Sequence, residues 1–343
     1  MKMNCFNQLK VPILVLGICI CLASISLFWP VNAVAEEKQD TKKTTPAATV
    51  ENKTPPPLEK EAEPTDPNET GDKEANEEEN DIFDLKLSTY ALINEAYDRI
   101  FSPDLIANDG LVKYSTLKRK RLDVLAAKRE LKKLNPAILM SLSREERIAF
   151  WINTYNFCTI RAILDNYPIK PKWFMIIYPD NSIMQITGAW TKIFFDIQRE
   201  EYNLHEIEQE KLLERYKDPR LCFALSNATV SGATLRNEPY KADRLDEQLD
   251  DQVKKYIATD KGLRWDKDNN TLLLSNVFQA HTKIFLESEK WAAVKKFRKR
   301  KDKERIWLNF ILPHLSEEDI RYLETNEFKI KFIEFDWHLN EIK

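Results

Sequence analysis

The strongest helical signal in the chain is the stretch SREERIAFWINTYNFCTIRAILDNYP, residues 143–168. Ser143 and Glu146 have the spacing of a capping box, in which each side chain satisfies a backbone N–H at the start of a helix. Apolar residues then recur with a period of about 3.6 residues until the pattern stops at Tyr167-Pro168. The stretch therefore predicts a long helix, and the other elements are weaker signals around it.

Two further helices and three short strands are predicted outside this stretch. Asn203 with Glu206 begins a helix that runs to about Tyr216, and Asp243 begins a third helix. Short apolar runs bounded by turn residues predict strands at 221–225, 272–274 and 328–335. Because helices outnumber strands, we expect a single α+β domain with a small sheet.

The first 35 residues have the pattern of a secretory signal peptide. Lys2 and Lys10 precede an uncharged run over 11–29, and Ala33-Val34-Ala35 follows as a cleavage site. The run also reaches the length of a membrane-spanning helix, so an uncleaved anchor is the alternative. We predict an exported protein, periplasmic, secreted or envelope-associated, which contacts the membrane only if this segment is retained.

Residues 36–81 have the composition of a disordered acidic linker. They include 15 acidic and 6 basic residues, six prolines and no aromatic residue, for a net charge of −9. Such a segment cannot bury enough apolar surface to offset its ordering entropy. The remaining residues, 82–343, carry a net charge of +4 and form the predicted globular domain.

Glycine and histidine usage excludes several classes of enzyme. The chain has six glycines, and none of the Walker A, G-x-G-x-x-G or G-x-S-x-G motifs is present. This argues against a P-loop NTPase, a dinucleotide enzyme of the Rossmann type and a standard serine hydrolase. The four histidines lack the spacing of a zinc site. We therefore predict no metal site and no cofactor.

Six segments of the chain stand out as a set: GLVKY (110–114), AFWINTYN (149–156), YNLHEIE (202–208), DPRLCFAL (218–225), LRNEPY (235–240) and FDWHLN (335–340). Together they resemble the domain of unknown function 547 family, which occurs in exported bacterial proteins and in plant proteins. The resemblance covers about residue 90 to the C-terminus. W-I-N-x-Y-N, D-P-R-x-x-F-A-L and D-W-x-L-N are the specific parts of the pattern.

Typical members of the family have a histidine in the D-P-R strand and cysteines in the S-C-P-P loop that follows it. A thiol nucleophile with an imidazole base is the chemistry that this pairing suggests. The present chain departs from the pattern, because Cys222 stands where the histidine is expected and Gly232 and Asn227 stand at the two cysteine positions. Either the chain is a catalytically degenerate member, or the family does not depend on that pair.

The candidate pocket residues each have a structural interpretation beside the functional one. Asn153 and Asn156 lie off or at the edge of the apolar stripe of their helix, as expected for buried amides that join the helix to a loop. Arg220 could bind a substrate carboxylate or form an ion pair with Asp218. The full set of ligand-pocket candidates is Asn153, Tyr155, Asn156, Arg220 and Asn227.

The two cysteines of the domain, Cys158 and Cys222, are expected to be buried free thiols. We predict a binding or structural module of the cell envelope, with a small molecule or another envelope protein as its partner. The alternative is a hydrolase or acyl-transferase that uses Cys222 or Ser231 as its nucleophile, and a histidine beside the Cys222 sulfur would favour it. Nucleic-acid binding is disfavoured by export and by the modest charge of the domain.

Overall fold

The long predicted helix is present as α5, Arg144–Asp165, in a computed structural model that describes residues 89–342. Both halves of the capping box form: the Glu146 N–H donates to Ser143 Oγ at 3.1 Å, and the Ser143 N–H donates to the Glu146 carboxylate at 2.7 Å. Every residue from 148 to 164 except Arg161 is buried. Because α5 is covered on nearly all sides, it is the central element of the domain.

The segment before α5 is helical and packs onto it. Helix α1 covers residues 89–100 of the described chain. It is followed by α2 Tyr114–Arg119, α3 Arg121–Lys133 and α4 Pro136–Ser141. Helix α2 packs against α5, and α3 packs against the first strand. The predicted signal peptide, residues 1–35, and the predicted linker, residues 36–81, lie outside the described residues.

The strands form two small sheets. Strands β1 Phe195–Ile197 and β2 Glu200–Tyr202 are an antiparallel hairpin. In the second sheet β4 Thr271–Leu274 lies in the middle, antiparallel to β3 Leu263–Asp266 and parallel to β5 Lys329–Phe332. The predicted strand at 272–274 is confirmed, and the one predicted at 328–335 is present but shorter. With helices outnumbering these strands, the domain is α+β as predicted.

The strand predicted at 221–225 is wrong. Pro219–Phe223 form a 3₁₀ helix, whose first turn is capped by Asp218 Oδ1 accepting from the Arg220 N–H at 3.0 Å. All five residues of the apolar run are buried. A short run without polar positions has no period that separates a strand from a helical turn, and here the Asp-Pro start favours the turn.

The two other predicted helices are present. Asn203 and Glu206 form the expected capping box, and the helix proceeds as α6 Leu204–Glu206, a π-helical segment Ile207–Leu213 and α7 Glu214–Tyr216. The third is α8, Leu245–Ile257, which follows a 3₁₀ turn at Ala242–Arg244. Asp243 lies inside that turn and does not cap α8, so its predicted capping role is wrong.

Five short helices and a C-terminal strap, residues 336–342, complete the domain. Phe223, from the 3₁₀ helix, joins Phe278, Phe285 and Phe310 in an aromatic cluster of the core. Within residues 89–342, no helix is long and apolar enough to cross a bilayer. The helices are α9 Asn276–Ala280, α10 Thr282–Glu287, α11 Glu289–Ala292, α12 Asp302–Ile311 and α13 Glu317–Thr325.

Candidate functional site

A cavity of about 880 Å³ lies beside the loop that follows the 3₁₀ helix. Its walls are the segment 108–111, the loop 229–237, the end of α8 with residues 259–261, and Asn340. Amides, hydroxyls and charged groups make up much of this wall. A volume of several hundred Å³ is the size of a small-molecule site.

The C-terminal strap holds the cavity loop in place. The Val230 N–H donates to the His338 carbonyl at 2.9 Å, and the Asn340 N–H donates to the Ala228 carbonyl at 3.2 Å. Ser231 and Asp336 exchange two further hydrogen bonds: the Asp336 N–H donates to Ser231 Oγ at 2.9 Å, and the Ser231 N–H donates to the Asp336 carbonyl at 3.2 Å. The loop is therefore fixed by residues about a hundred positions away in the chain.

Gly110 lies in the cavity wall opposite the loop 229–237. Any other residue at this position would displace that loop. The φ of Gly110 is +83°, and a Cβ there would lie 2.6 Å from Thr234 Cγ2 and 2.8 Å from the Leu235 nitrogen. Asn340 binds this turn, since its Nδ2 donates to the Gly110 carbonyl at 3.1 Å and its Oδ1 accepts from the Tyr114 hydroxyl at 2.8 Å. The glycine permits the close approach of the two walls.

Arg236 lines the cavity with most of its charge already compensated. Its guanidinium donates to Asp251 at 2.6 Å and to Glu238 at 2.5 Å. Its Nε is buried and has no hydrogen-bond partner within the described residues. Arg236 is therefore fixed in position, with one donor left over for a ligand or a water molecule.

Lys261 is a basic residue of the cavity wall that forms no ion pair within residues 89–342. The half-buried ammonium donates to the Val230 carbonyl at 3.1 Å and lies 5.5 Å from the centre of the Tyr256 ring. In the described part of the chain, no carboxylate lies within 4.0 Å of its Nζ, whereas Lys255 forms an ion pair with Asp251 at 2.9 Å. Burial lowers the pKa of Lys261 to about 8, with the charge of Asp109 acting in the opposite direction.

Asn153 and Asn156 lie outside the cavity wall and form the predicted links between helix and loop. Asn153 exchanges two hydrogen bonds with the backbone of Tyr240, both of 2.9 Å. Asn156 donates to the Ala224 carbonyl at 2.9 Å and accepts from the Ser226 N–H at 2.8 Å. Each buried amide therefore connects α5 to a segment that leads into or out of the cavity loop.

Tyr155 belongs to a buried cluster of titratable groups. Its hydroxyl donates to Glu208 at 3.2 Å, Gln209 Nε2 donates to the same carboxylate at 3.1 Å, and His281 Nδ1 lies 3.9 Å from Glu208 Oε1. Burial raises the pKa of Glu208 to about 7 and lowers that of His281 to about 4, so His281 is neutral at neutral pH. Burial, followed by the charges of Glu208 and Asp218, raises the pKa of the nearby Cys222 thiol.

The other predicted site residues also lie outside the cavity wall. Arg220 binds Asp218 through a side-chain pair of 2.8 Å and reaches Asp246 and Asp250 on α8 at 2.7 Å each, so it joins the 3₁₀ helix to α8. Asn227 Oδ1 accepts from the Thr229 hydroxyl at 2.7 Å within the loop. Cys158 and Cys222 are buried free thiols, as expected.

Sequence reasoning did not identify Lys261, Gly110 or Glu208 as site residues. Lys261 stands in Asp260-Lys261-Gly262, which has the composition of an ordinary surface turn. Gly110 and Glu208 lie in segments already quoted for the family resemblance, but their local sequence shows neither the close approach at Gly110 nor the burial of Glu208. In residues 89–342, no three histidine, cysteine or carboxylate side chains come together as a set that could hold a metal ion.

The fold and the site define a helix-dominated α+β domain with a cavity beside a loop that the C-terminal strap holds in place. The family described as "Protein of unknown function, DUF547" matches residues 139–257, about a third of the chain. The matched segment contains α5, the π-helical segment, the 3₁₀ helix, the cavity loop and α8. The match confirms the family resemblance over these residues. No curated protein and no solved structure matches it.

Proposed function

We propose that the protein is an exported binding module of the cell envelope whose cavity takes a small organic anion. The observation that carries this proposal is Lys261, a half-buried lysine of the cavity wall with no carboxylate within 4.0 Å of its Nζ among residues 89–342. A buried charge without compensation is costly, and a carboxylate or phosphate group on a ligand would compensate it. The amide and hydroxyl groups of the wall would bind the polar remainder of such a ligand.

Two features support a binding role over the hydrolase or acyl-transferase alternative. Cys222 and Ser231 are both buried, and neither side chain lines the cavity. The Ser231 hydroxyl oxygen is occupied as an acceptor for the Asp336 N–H. A nucleophile must reach the reacting atom of a bound substrate, and these two side chains contribute instead to the packing around the loop.

Anion binding can be tested with Lys261→Met, which keeps the length of the side chain and removes its charge. The matched control is Lys255→Met, because Lys255 also lines the cavity but is paired with Asp251. The probes are inorganic phosphate, citrate and glucose 6-phosphate, with glucose as the neutral comparison. Affinities come from calorimetry and thermal shift.

We expect at least one of the anions, and not glucose, to bind the unmodified chain and the Lys255→Met control. The Lys261→Met variant should lose roughly 10-fold to 100-fold in affinity. This ratio corresponds to the binding free energy that one hydrogen bond to a charged group contributes. Binding should also weaken above pH 8, where the Lys261 ammonium loses its proton. Equal affinity of the two variants, or no stabilisation by any anion, would refute the proposal.

Export is supported by the sequence pattern of residues 1–35 and has its own test. The full chain with a C-terminal tag is expressed in a bacterial host, and the mass of the intact protein is measured. We expect a mature chain that begins at Glu36. A chain that begins at Met1 would argue for an anchor or for retention in the cytoplasm.

A further inference from the structure

Four large apolar side chains protrude from one loop, residues 172–178, which we call the apolar loop. The exposed fractions are 87% for Trp173, 55% for Phe174, 83% for Ile176 and 73% for Ile177. A scattered exposed apolar residue needs no explanation, but four within five positions form a contiguous surface. Nothing in the proposed anion site uses this surface.

Two successive turns present these side chains. The Met175 N–H donates to the Lys172 carbonyl at 2.9 Å, and the Tyr178 N–H donates to the Met175 carbonyl at 3.1 Å. Trp173 and Phe174 therefore occupy the two central positions of the first turn, and Ile176 and Ile177 occupy those of the second. Turn centres favour glycine, proline, asparagine, aspartate and serine, so local turn chemistry does not explain four apolar residues there.

A buried amide fixes the shape of the apolar loop. Gln185 is 2% exposed, and its Oε1 accepts from the Lys172 N–H at 2.8 Å. Its Nε2 lies within hydrogen-bond distance of the carbonyls of Met175, Tyr178 and Pro179, at 3.2, 3.3 and 3.2 Å. The Gln185 side chain thus fixes the backbone of the loop from the buried side. The apolar side chains point outward and do not pack against the core.

Two lysines and one aspartate lie next to the apolar side chains in the sequence. Lys170 is exposed immediately before it, and Lys172 begins its first turn. Asp180 is the acidic residue nearest in sequence. Apolar and aromatic residues flanked by lysines suit the boundary between lipid headgroups and acyl chains.

We propose that the apolar loop docks the domain on an anionic lipid bilayer, with Trp173, Phe174, Ile176 and Ile177 inserted at the headgroup boundary and the flanking lysines against the lipid phosphates. Four protruding side chains can enter a fluid surface that adapts to them, whereas a stable protein interface requires about 800 Å² of matched surface on each side. Charge complementarity with anionic headgroups favours the bilayer as the occupant.

The test follows the fluorescence of Trp173 in the full chain, added to vesicles that contain a brominated phosphatidylcholine as quencher. One set of vesicles also contains phosphatidylglycerol and the other does not. The difference in emission between the unmodified chain and Trp173→Phe gives the contribution of Trp173. The matched control is Trp190→Phe, which gives the contribution of a buried tryptophan in the same way. Since the other tryptophans and the N-terminal segment are the same in each pair, any membrane binding by that segment cancels in the difference.

We expect the Trp173 contribution to be quenched on anionic vesicles and the Trp190 contribution to remain unchanged. Ile176→Asp/Ile177→Asp, two changes at exposed positions, should abolish the quenching without lowering the melting temperature. Unquenched Trp173 emission on both kinds of vesicle would overturn the proposal, and equal quenching on neutral vesicles would overturn the role of the lysines. A lipid-free dimer that dissociates in the double variant, together with unquenched emission, would assign the surface to contact between copies of the chain.

Discussion

Asn153 and Tyr240 are joined by two hydrogen bonds of 2.9 Å although 87 positions separate them in the sequence. The Asn153 amide nitrogen donates to the Tyr240 carbonyl, and its amide oxygen accepts from the Tyr240 N–H. Both groups are buried, so water cannot replace either bond. Together with the similar pair that Asn156 makes, this contact ties the central helix to both sides of the cavity loop.

Asn153→Ala should therefore destabilise the domain by about 3 kcal/mol. Two hydrogen bonds are lost, and the buried Tyr240 N–H and carbonyl are left without partners, which costs more than the bonds themselves contribute. Urea denaturation followed by circular dichroism measures the change. The control is Asn166→Ala, which removes one bond of 2.9 Å to the Ala162 carbonyl at the exposed end of α5 and should cost less than about 1 kcal/mol. Equal costs for the two variants would contradict the linking role of Asn153.

Glu208 should make stability depend on pH in a direction unusual for a carboxylate. Burial raises its pKa in the folded protein to about 7, from 4.5 in the unfolded chain. The folded state therefore binds more protons between these values, and stability falls as the pH rises from about 4.5 to 7. Above pH 7 the accumulated loss is roughly 3 kcal/mol, because each pKa unit corresponds to about 1.4 kcal/mol.

Glu208→Gln should remove this loss. The variant should match the unmodified chain near pH 4.5 and should exceed its stability above pH 7, because glutamine keeps the shape and remains neutral. His281 has the opposite effect, since its lowered pKa of about 4 reduces stability as the pH falls below 6.5. The difference between the two proteins across the pH range isolates Glu208. A difference that does not change with pH would show that Glu208 has an ordinary pKa.

Local signals in the sequence were enough for some elements and not for others. The capping box of Ser143 and the apolar period that follows it act within a few residues, and α5 could be predicted from them. The run 221–225 was wrongly predicted as a strand, because five adjacent apolar residues have no period that separates a buried strand from a buried turn. The role of Lys261 depends on its burial against Val230 and Tyr256, and no local pattern encodes that burial.

Cys222 should be unreactive in the folded protein. The thiol is 3% exposed, and burial together with the charges of Glu208 and Asp218 raises its pKa, so the thiolate is scarce at neutral pH. Iodoacetamide should leave both Cys222 and Cys158 unmodified until the chain is unfolded in urea, as measured by mass spectrometry of tryptic peptides. Rapid modification of native Cys222 with Cys158 intact would instead favour the thiol-enzyme alternative.

The same residue should show the stability pattern of a packed core group. Cys222→Ala removes packing atoms next to the aromatic cluster and should cost about 1 kcal/mol. Cys222→Ser should cost more, since a buried hydroxyl without a partner carries a penalty of roughly 1 to 3 kcal/mol. Thermal denaturation measures both variants. A serine variant as stable as the unmodified chain would mean that water reaches the side chain at position 222.

Gly232 and Asn227, the two positions where the family usually has cysteines, should be energetically coupled. A Cβ added at Gly232 would overlap Asn227 Oδ1 and would lie 2.8 Å from Thr229 Oγ1. Asn227 cannot easily move, because its oxygen accepts from the Thr229 hydroxyl at 2.7 Å, and that hydroxyl in turn accepts from the Gly232 N–H at 3.0 Å. The asparagine amide therefore fills the space that a side chain at position 232 would need.

Gly232→Ala alone should thus destabilise the domain by about 2 kcal/mol, in the range of overpacking in a well-packed core. In the double variant Asn227→Ala/Gly232→Ala the overlap is gone, so its cost should be at least about 1 kcal/mol smaller than the sum of the two single changes. The double-mutant cycle is measured by urea denaturation, with Gly262→Ala in place of Gly232→Ala as the uncoupled comparison. Additive costs for Asn227 and Gly232 would show that the two substitutions were accommodated independently, and the loop would then be more compliant than its hydrogen bonds imply.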